Sequence, residues 1–204
     1  MITIHCLAYS RAIRLVWLME DLRQPYNLIS YDRTADFHAP DSLAKVHTLG
    51  SSPVIEDGER VMAESVSCLR YLAWKFGDDT HRPAVGTIEY WQHEEMLDYV
   101  ESSFAGVVMK ALLPKLDGRE PTKEALDALH QHYEYLTEKL TPNEMLFGSK
   151  TTLADIQLSY QLAFLSHTGL LDDAPRLAAY WETLQDQPGY KAAIAHAGPM
   201  VPES

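Results

Sequence analysis

The chain has 204 residues, 46% of them hydrophobic and 10% aromatic, which is enough to bury a sizeable core as one large domain or two small ones. Seventeen basic against 29 acidic residues leave a formal charge of -12, which disfavours nucleic acid and anionic membranes as partners. No apolar run reaches the roughly 18 residues of a membrane span, and two cysteines, Cys6 and Cys68, do not make a disulfide framework, so the cytoplasm is the expected compartment.

In chain order, residues 2–6 (ITIHC) read as a strand and not as a signal peptide. Ser10 is the expected N-cap of a helix that carries Ile13, Leu15, Val16, Leu18 and Met19 and ends near Leu22. Gln24-Pro25 breaks it and residues 26–31 (YNLISY) form a second strand, so a βαβ unit with a parallel pair is expected. Residues 32–41 are polar and loop-like, and 42–46 supply one or two helical turns. Pro53 opens a third strand, and Asp57-Gly58 is a strong hairpin signal between two apolar runs. Residues 60–63 return, and Glu64-Ser65 begins a helix to Phe76. A proline at the first residue of a strand cannot donate to a ladder, so the backbone before it is open to a ligand's main chain.

Residues 77–86 are polar, broken and aperiodic, as a linker is. No convincing strand follows. Helical patterns run from about Thr87 to Leu113, halted by Pro114, and from Thr122 to Leu140, with Leu129, Tyr133, Leu136 and Leu140 at helical spacing. A very apolar helix follows Thr152, and shorter ones are expected at 174–186 and 189–196. The expected fold class is therefore α/β plus all-α, with an α/β domain at 1–76, a linker at 77–86 and a helical domain at 87–204. Cys6 and Cys68 read as core residues. His130 and His132 fall on different helix faces and no HExxH occurs, so no metal is expected.

Three segments carry a resemblance: YSRAIRLVWLMEDLRQPYNL (9–28), LGSSPVIEDGERVMAESVSCLRYL (49–72) and TTLADIQLSYQLAF (151–164). Their order and spacing resemble those of the cytosolic glutathione S-transferases, bacterial and fungal members in particular, over essentially the whole chain. The resemblance implies a thioredoxin-like N-terminal domain, an all-helical C-terminal domain, and glutathione as co-substrate. It further implies a small apolar electrophile as second substrate, a detoxifying role and a cytoplasmic homodimer. Under it, Ser52 and a cis Pro53 pair with the cysteinyl backbone of the tripeptide, and Glu64 and Ser65 take its amino-acid head. Ser10 stands where the family places its catalytic serine or cysteine, with Tyr9 as the alternative; Tyr9 and Met109 would line the second-substrate pocket. Two other readings stay open, a glutathione-dependent disulfide or peroxide reductase and a non-catalytic glutathione-binding interaction module.

The chain departs from the family at Ser51, where many relatives carry a cation for the glycine carboxylate of glutathione. His38, Lys45, His47, Arg11 and Arg14 are the candidate substitutes. The capping box Thr152–Asp155 is intact, but Thr151 is a poor hydrophobic staple for Ile156. Activation of the thiol is within reach of one hydroxyl. Lowering a thiol pKa of about 8.5 by about two units takes roughly 2.7 kcal/mol. A hydrogen bond to charged sulfur supplies about 1.5–3 kcal/mol, and a helix N-terminus about 0.3–1 more.

Overall fold

The computed structural model describes residues 1–141 and 144–202. Its strands are β1 (Ile2–Leu7), β2 (Tyr26–Tyr31), β3 (Val54–Asp57) and β4 (Arg60–Ala63), in one sheet of order β2-β1-β3-β4. β1 runs parallel to β2 with Ile2 opposite Tyr26, and antiparallel to β3 with Ile4 opposite Ile55. As the central strand, β1 is buried along nearly all its length, whereas β2 at the edge alternates. The Asp57-Gly58 turn forms as its sequence requires, with Asp57 paired to Arg60 and Gly58 in the left-handed region at φ 62°. The Ser52–Pro53 peptide bond is cis.

Three helices accompany these strands: α1 (Ile13–Leu22), the short α2 (Asp41–Ala44) and α3 (Ser65–Lys75). Ile13 to Met19 are all buried, and Leu69 and Leu72 of α3 are fully so, which is the core expected of a βαβ unit followed by a hairpin and helix. The start of α1 differs from the sequence reading. Ser10 is not its N-cap; Ala12 is. The Ile13, Arg14 and Leu15 amides bond back three residues to Ser10, Arg11 and Ala12, so a tight 3₁₀-like turn leads into the helix.

Further along lie α4 (Ile88–Tyr99), a five-residue π-helical stretch (Val100–Phe104), α5 (Ala105–Leu116), α6 (Lys123–Lys139), α7 (Leu153–His167), α8 (Pro175–Gln185) and α9 (Pro188–Ala197). Pro114 does not halt the helix at Leu113. It sits in the last turn of α5, where its missing amide costs one bond and the helix closes two residues later. The capping box is formed: Asp155 is fully buried and accepts from the Thr152 amide and hydroxyl, the Leu146 amide and the Tyr180 hydroxyl. α7 is buried around almost its whole circumference, as its continuous apolar sequence anticipates.

Packing divides the chain into two compact units, Met1–Asp78 with the described part of Asp186–Ser204, and the described part of Asp79–Gln185. The sequence reading grouped 87–204 together; the contacts group α9 with α1. Tyr190 meets the fully buried Trp17 edge-on at 5.3 Å, and Gly189 brings the helix backbone hard against Trp17 and Asp21. His196 Nδ1 lies 2.9 Å from Glu20 Oε1, and Tyr26 donates to the same oxygen at 2.5 Å. Among the described residues, no helix is long and apolar enough to cross a membrane, and no three His, Cys, Asp or Glu residues are grouped to hold a metal.

Candidate functional site

Ser10, Ser52 and Pro53 come together where β1 ends and β3 begins. Ser52 Oγ donates to the His5 carbonyl at 3.0 Å and accepts from the Leu7 amide at 3.1 Å. Its one proton is thereby committed. The 3.1 Å contact between the two hydroxyls therefore has Ser10 donating to Ser52, while Ser10 Oγ also accepts from the Ala12 amide at 3.3 Å. The backbone N–H and C=O of Ser52 make no hydrogen bond within the described residues, which leaves the open main chain that the proline was expected to provide.

This geometry revises the thiol arithmetic. The first amides of α1 are used in the 3₁₀-like turn, so the helix terminus adds little. For Ser10 to donate to a sulfur it must also give up Ser52 as acceptor, which costs about 0.5–1.5 kcal/mol against a gain of about 1.5–3. The net is on the order of 1–2 kcal/mol, or about one pKa unit.

Glu64 and Ser65 lie at the start of α3. Glu64 is exposed and adopts φ 69°, ψ 113°, a conformation that costs a non-glycine residue about 1–3 kcal/mol. The Glu64 side chain makes no cap hydrogen bond, and the Cys68 amide bonds back to the Glu64 carbonyl at 2.9 Å. Ser65 Oγ accepts from Arg14 Nη1 at 3.4 Å. Arg14, one helical turn beyond Ser10, is fully buried. Arg14, a candidate for the glycine carboxylate, is bonded to Ser65 at the start of α3. An isolated arginine between the buried Ile13 and Leu15 was the available signal for such a role.

Tyr9 adopts φ 55° and stacks on Phe37, ring centroids 6.0 Å apart and nearly parallel. Phe37 itself has φ 64° and is 52% exposed. Arg33, in a polar loop without any motif to mark it, joins the two: it donates to the carbonyls of Ala8, Tyr9 and Phe37. His38 belongs to the same loop, bonded through its backbone to Thr34, whereas Lys45 follows α2 and His47 Nδ1 accepts from the Leu49 amide. Met109 lies on α5, in the other unit, and is 39% exposed. A cavity of about 270 Å³ lined by Glu89, Glu95, Tyr135 and Lys139 also lies in that unit and includes none of the expected site residues. Burial pushes the Cys6 and Cys68 thiols up to about 12, so neither is a ready nucleophile at neutral pH.

A mixed four-stranded sheet entered by βαβ and left by ββα, with a cis-proline just before β3 and, among the described residues, helices as the regular elements thereafter, defines a thioredoxin-like protein with an all-helical second part. Residues 5–74 match the model of the glutathione S-transferase N-terminal domain, and residues 96–188 that of the glutathione S-transferase C-terminal domain. The chain belongs to the glutathione S-transferase family. It is 29% identical to glutathione S-transferase 1 of Saccharomyces cerevisiae, covering 94% of this chain and 93% of that one. A solved glutathione S-transferase from Actinobacillus pleuropneumoniae is similar with a TM-score of 0.85 and 28% identity over 97% of this chain and 93% of that one. A probable elongation factor 1-gamma 2 from Arabidopsis thaliana is 27% identical over 84% of this chain but only 45% of its own length.

Proposed function

We propose that the chain binds glutathione along β3 and the start of α3, ionises its thiol beside Ser10, and delivers the thiolate to a small apolar electrophile. The observation that carries this reading is the convergence of the Ser10 hydroxyl with Ser52, whose own backbone groups are unpaired and directly precede the cis-proline. The cysteinyl backbone would pair with Ser52. The γ-glutamyl carboxylate would sit at the first turn of α3, where the helix dipole favours an anion and the buried Arg14 adds a positive charge behind Ser65. Glu64, exposed at the same turn, would take the ammonium group. His38, on the loop tied to Tyr9 by Arg33, becomes the first candidate for the glycine carboxylate that Ser51 cannot hold.

In the reaction, the thiol proton passes to solvent, the Ser10 hydroxyl turns from Ser52 to donate to the sulfur, and the thiolate it stabilises attacks the electrophilic carbon and displaces the leaving group with its bonding electron pair. Tyr9 and Met109 are proposed as second-substrate contacts, and a cytoplasmic homodimer with a detoxifying role belongs to the same reading, supported by the family. The likeness to part of a probable elongation factor 1-gamma favours one rival, a glutathione-binding module without catalysis. Glutathione-dependent conjugation of an aryl halide, assayed with wild type, Ser10→Ala and Tyr9→Phe, decides between them. The proposal expects turnover that falls sharply in Ser10→Ala and persists in Tyr9→Phe. Binding of glutathione with no turnover selects the module, and activity confined to mixed disulfides or peroxides selects a reductase.

A further inference from the structure

We propose that Arg33 is a positioning residue for the thiol site, acting through the Tyr9–Ser10 peptide; the proposal rests on the reading of Ser10 given above. Its Nε donates to the Ala8 carbonyl at 2.9 Å, its Nη2 to the Tyr9 carbonyl at 3.1 Å and its Nη1 to the Phe37 carbonyl at 2.9 Å. Consecutive carbonyls of an extended strand point to opposite sides. Those of Ala8 and Tyr9 converge on one guanidinium because Tyr9 has left the strand conformation for the left-handed region at φ 55°. An aromatic residue does not hold that conformation by preference, so something outside it must. The planar fork of Arg33 supplies two bonds to the strained segment and a third to the facing loop.

The Tyr9 carbonyl belongs to the peptide that leads into Ser10, so fixing that carbonyl fixes the direction of the Ser10 Cα–Cβ bond and keeps Oγ at 3.1 Å from Ser52. The third bond, together with the guanidinium lying 4.7 Å over the Phe37 ring and the Phe37–Tyr9 stack, anchors the clamp in the loop after β2. Among the described residues Arg33 has no carboxylate within ion-pair distance; two of its donors meet carbonyl oxygens of the turn where a thiolate would form. With the clamp removed, Tyr9 relaxes toward an extended conformation and Ser10 swings away from the sulfur.

The test is the pH titration of thiolate absorbance of glutathione bound to wild type, Arg33→Ala and Arg33→Lys, with glutathione affinity and a thermal melt for each protein. A lysine keeps the charge but reaches one carbonyl, so it carries the test even where the alanine variant does not fold. The expected result is a bound-thiol pKa higher by at least about half a unit in both variants, about threefold less thiolate near neutrality. The acid limb of kcat/KM moves to higher pH with it, and glutathione affinity changes less than about threefold. A general loss of stability would not move that limb. An Arg33→Lys protein with the wild-type thiol pKa overturns the positioning role. A wild-type thiol that is itself unshifted overturns the reading of Ser10 instead, so the two failures are distinct.

Discussion

Gly189→Ala tests the seating of α9 on α1. A Cβ at that position would lie 2.0 Å from Asp21 Oδ1, 2.6 Å from its Cγ and 2.8 Å from Trp17 Cδ1. The carboxylate could swing aside, but the Trp17 ring is fully buried and already packed against Tyr190. Overpacking of this kind costs about 1–3 kcal/mol. Moving a carboxylate away from the first turn of a helix loses about 0.3–1 more. Alanine's better helix propensity returns about 0.8–1 kcal/mol. With contacts this short the clash term falls in its upper half, and the net cost is about 2 kcal/mol, or a melting temperature lower by roughly 4–8 °C in a chain of this size. Gly106→Ala is the control. Gly106 lies within α5, and its added Cβ meets nothing within 4 Å, so the same chemical change there stabilises by about 0.5–1 kcal/mol. Thermal melts of the two variants should move in opposite directions. A Gly189→Ala protein that melts with or above wild type would refute the packing of α9 against Trp17.

Two further outcomes follow from the second unit. Asp155→Ala strands the amides of Thr152 and Leu146 and the hydroxyl of Tyr180 in a buried site, and should cost more than about 3 kcal/mol, read as a lower urea midpoint. His132 has Nδ1 2.6 Å from the Tyr99 hydroxyl, and burial holds its pKa below its ordinary 6.5. The unfolded chain therefore takes up that proton more readily than the folded one. The stability margin is whole above pH 6.5 and is lost as pH falls through that value toward the folded pKa. Chemical denaturation of wild type and His132→Gln between neutral and mildly acid pH should show their difference shrinking as pH falls; a constant difference would contradict the assignment.

What could be read from the sequence was local. The strands at 26–31 and 54–63 and the helices α6 and α7 follow from period, turn chemistry and caps carried within each segment: Asp57-Gly58 for the hairpin, Thr122 and Thr152 for the helix starts. What could not be read was set by partners far along the chain. A serine before an apolar helix is usually its N-cap, but the chain around Ser10 turns through the left-handed Tyr9, whose carbonyl and that of Ala8 are bonded by Arg33, 24 and 25 residues further along. The docking of α9 on α1 depends on Gly189 meeting a tryptophan on another helix, and no periodicity reports that. The π-helical stretch at 100–104 inserts an extra residue per turn into a pattern that looked continuous from 87 to 113. Ser52, Pro53, Glu64 and Ser65 lie within one short segment and were named from it, whereas the bonds of Arg33 to the Ala8 and Tyr9 carbonyls and of Arg14 to Ser65 join elements far apart in the chain.

The proposed role of Ser10 in making the thiolate is read from the pH titration of the thiolate absorbance of bound glutathione. With the Ser10 proton leaving Ser52 and the amides of α1 already engaged, the proposed role of Ser10 corresponds to a gain of about one pKa unit. The bound thiol of the wild-type protein is expected about one unit below the free value of about 8.5, and within about 0.3 units of that value in Ser10→Ala. A Ser10→Ala protein that keeps the full shift, or a Tyr9→Phe protein that loses it, would contradict the account.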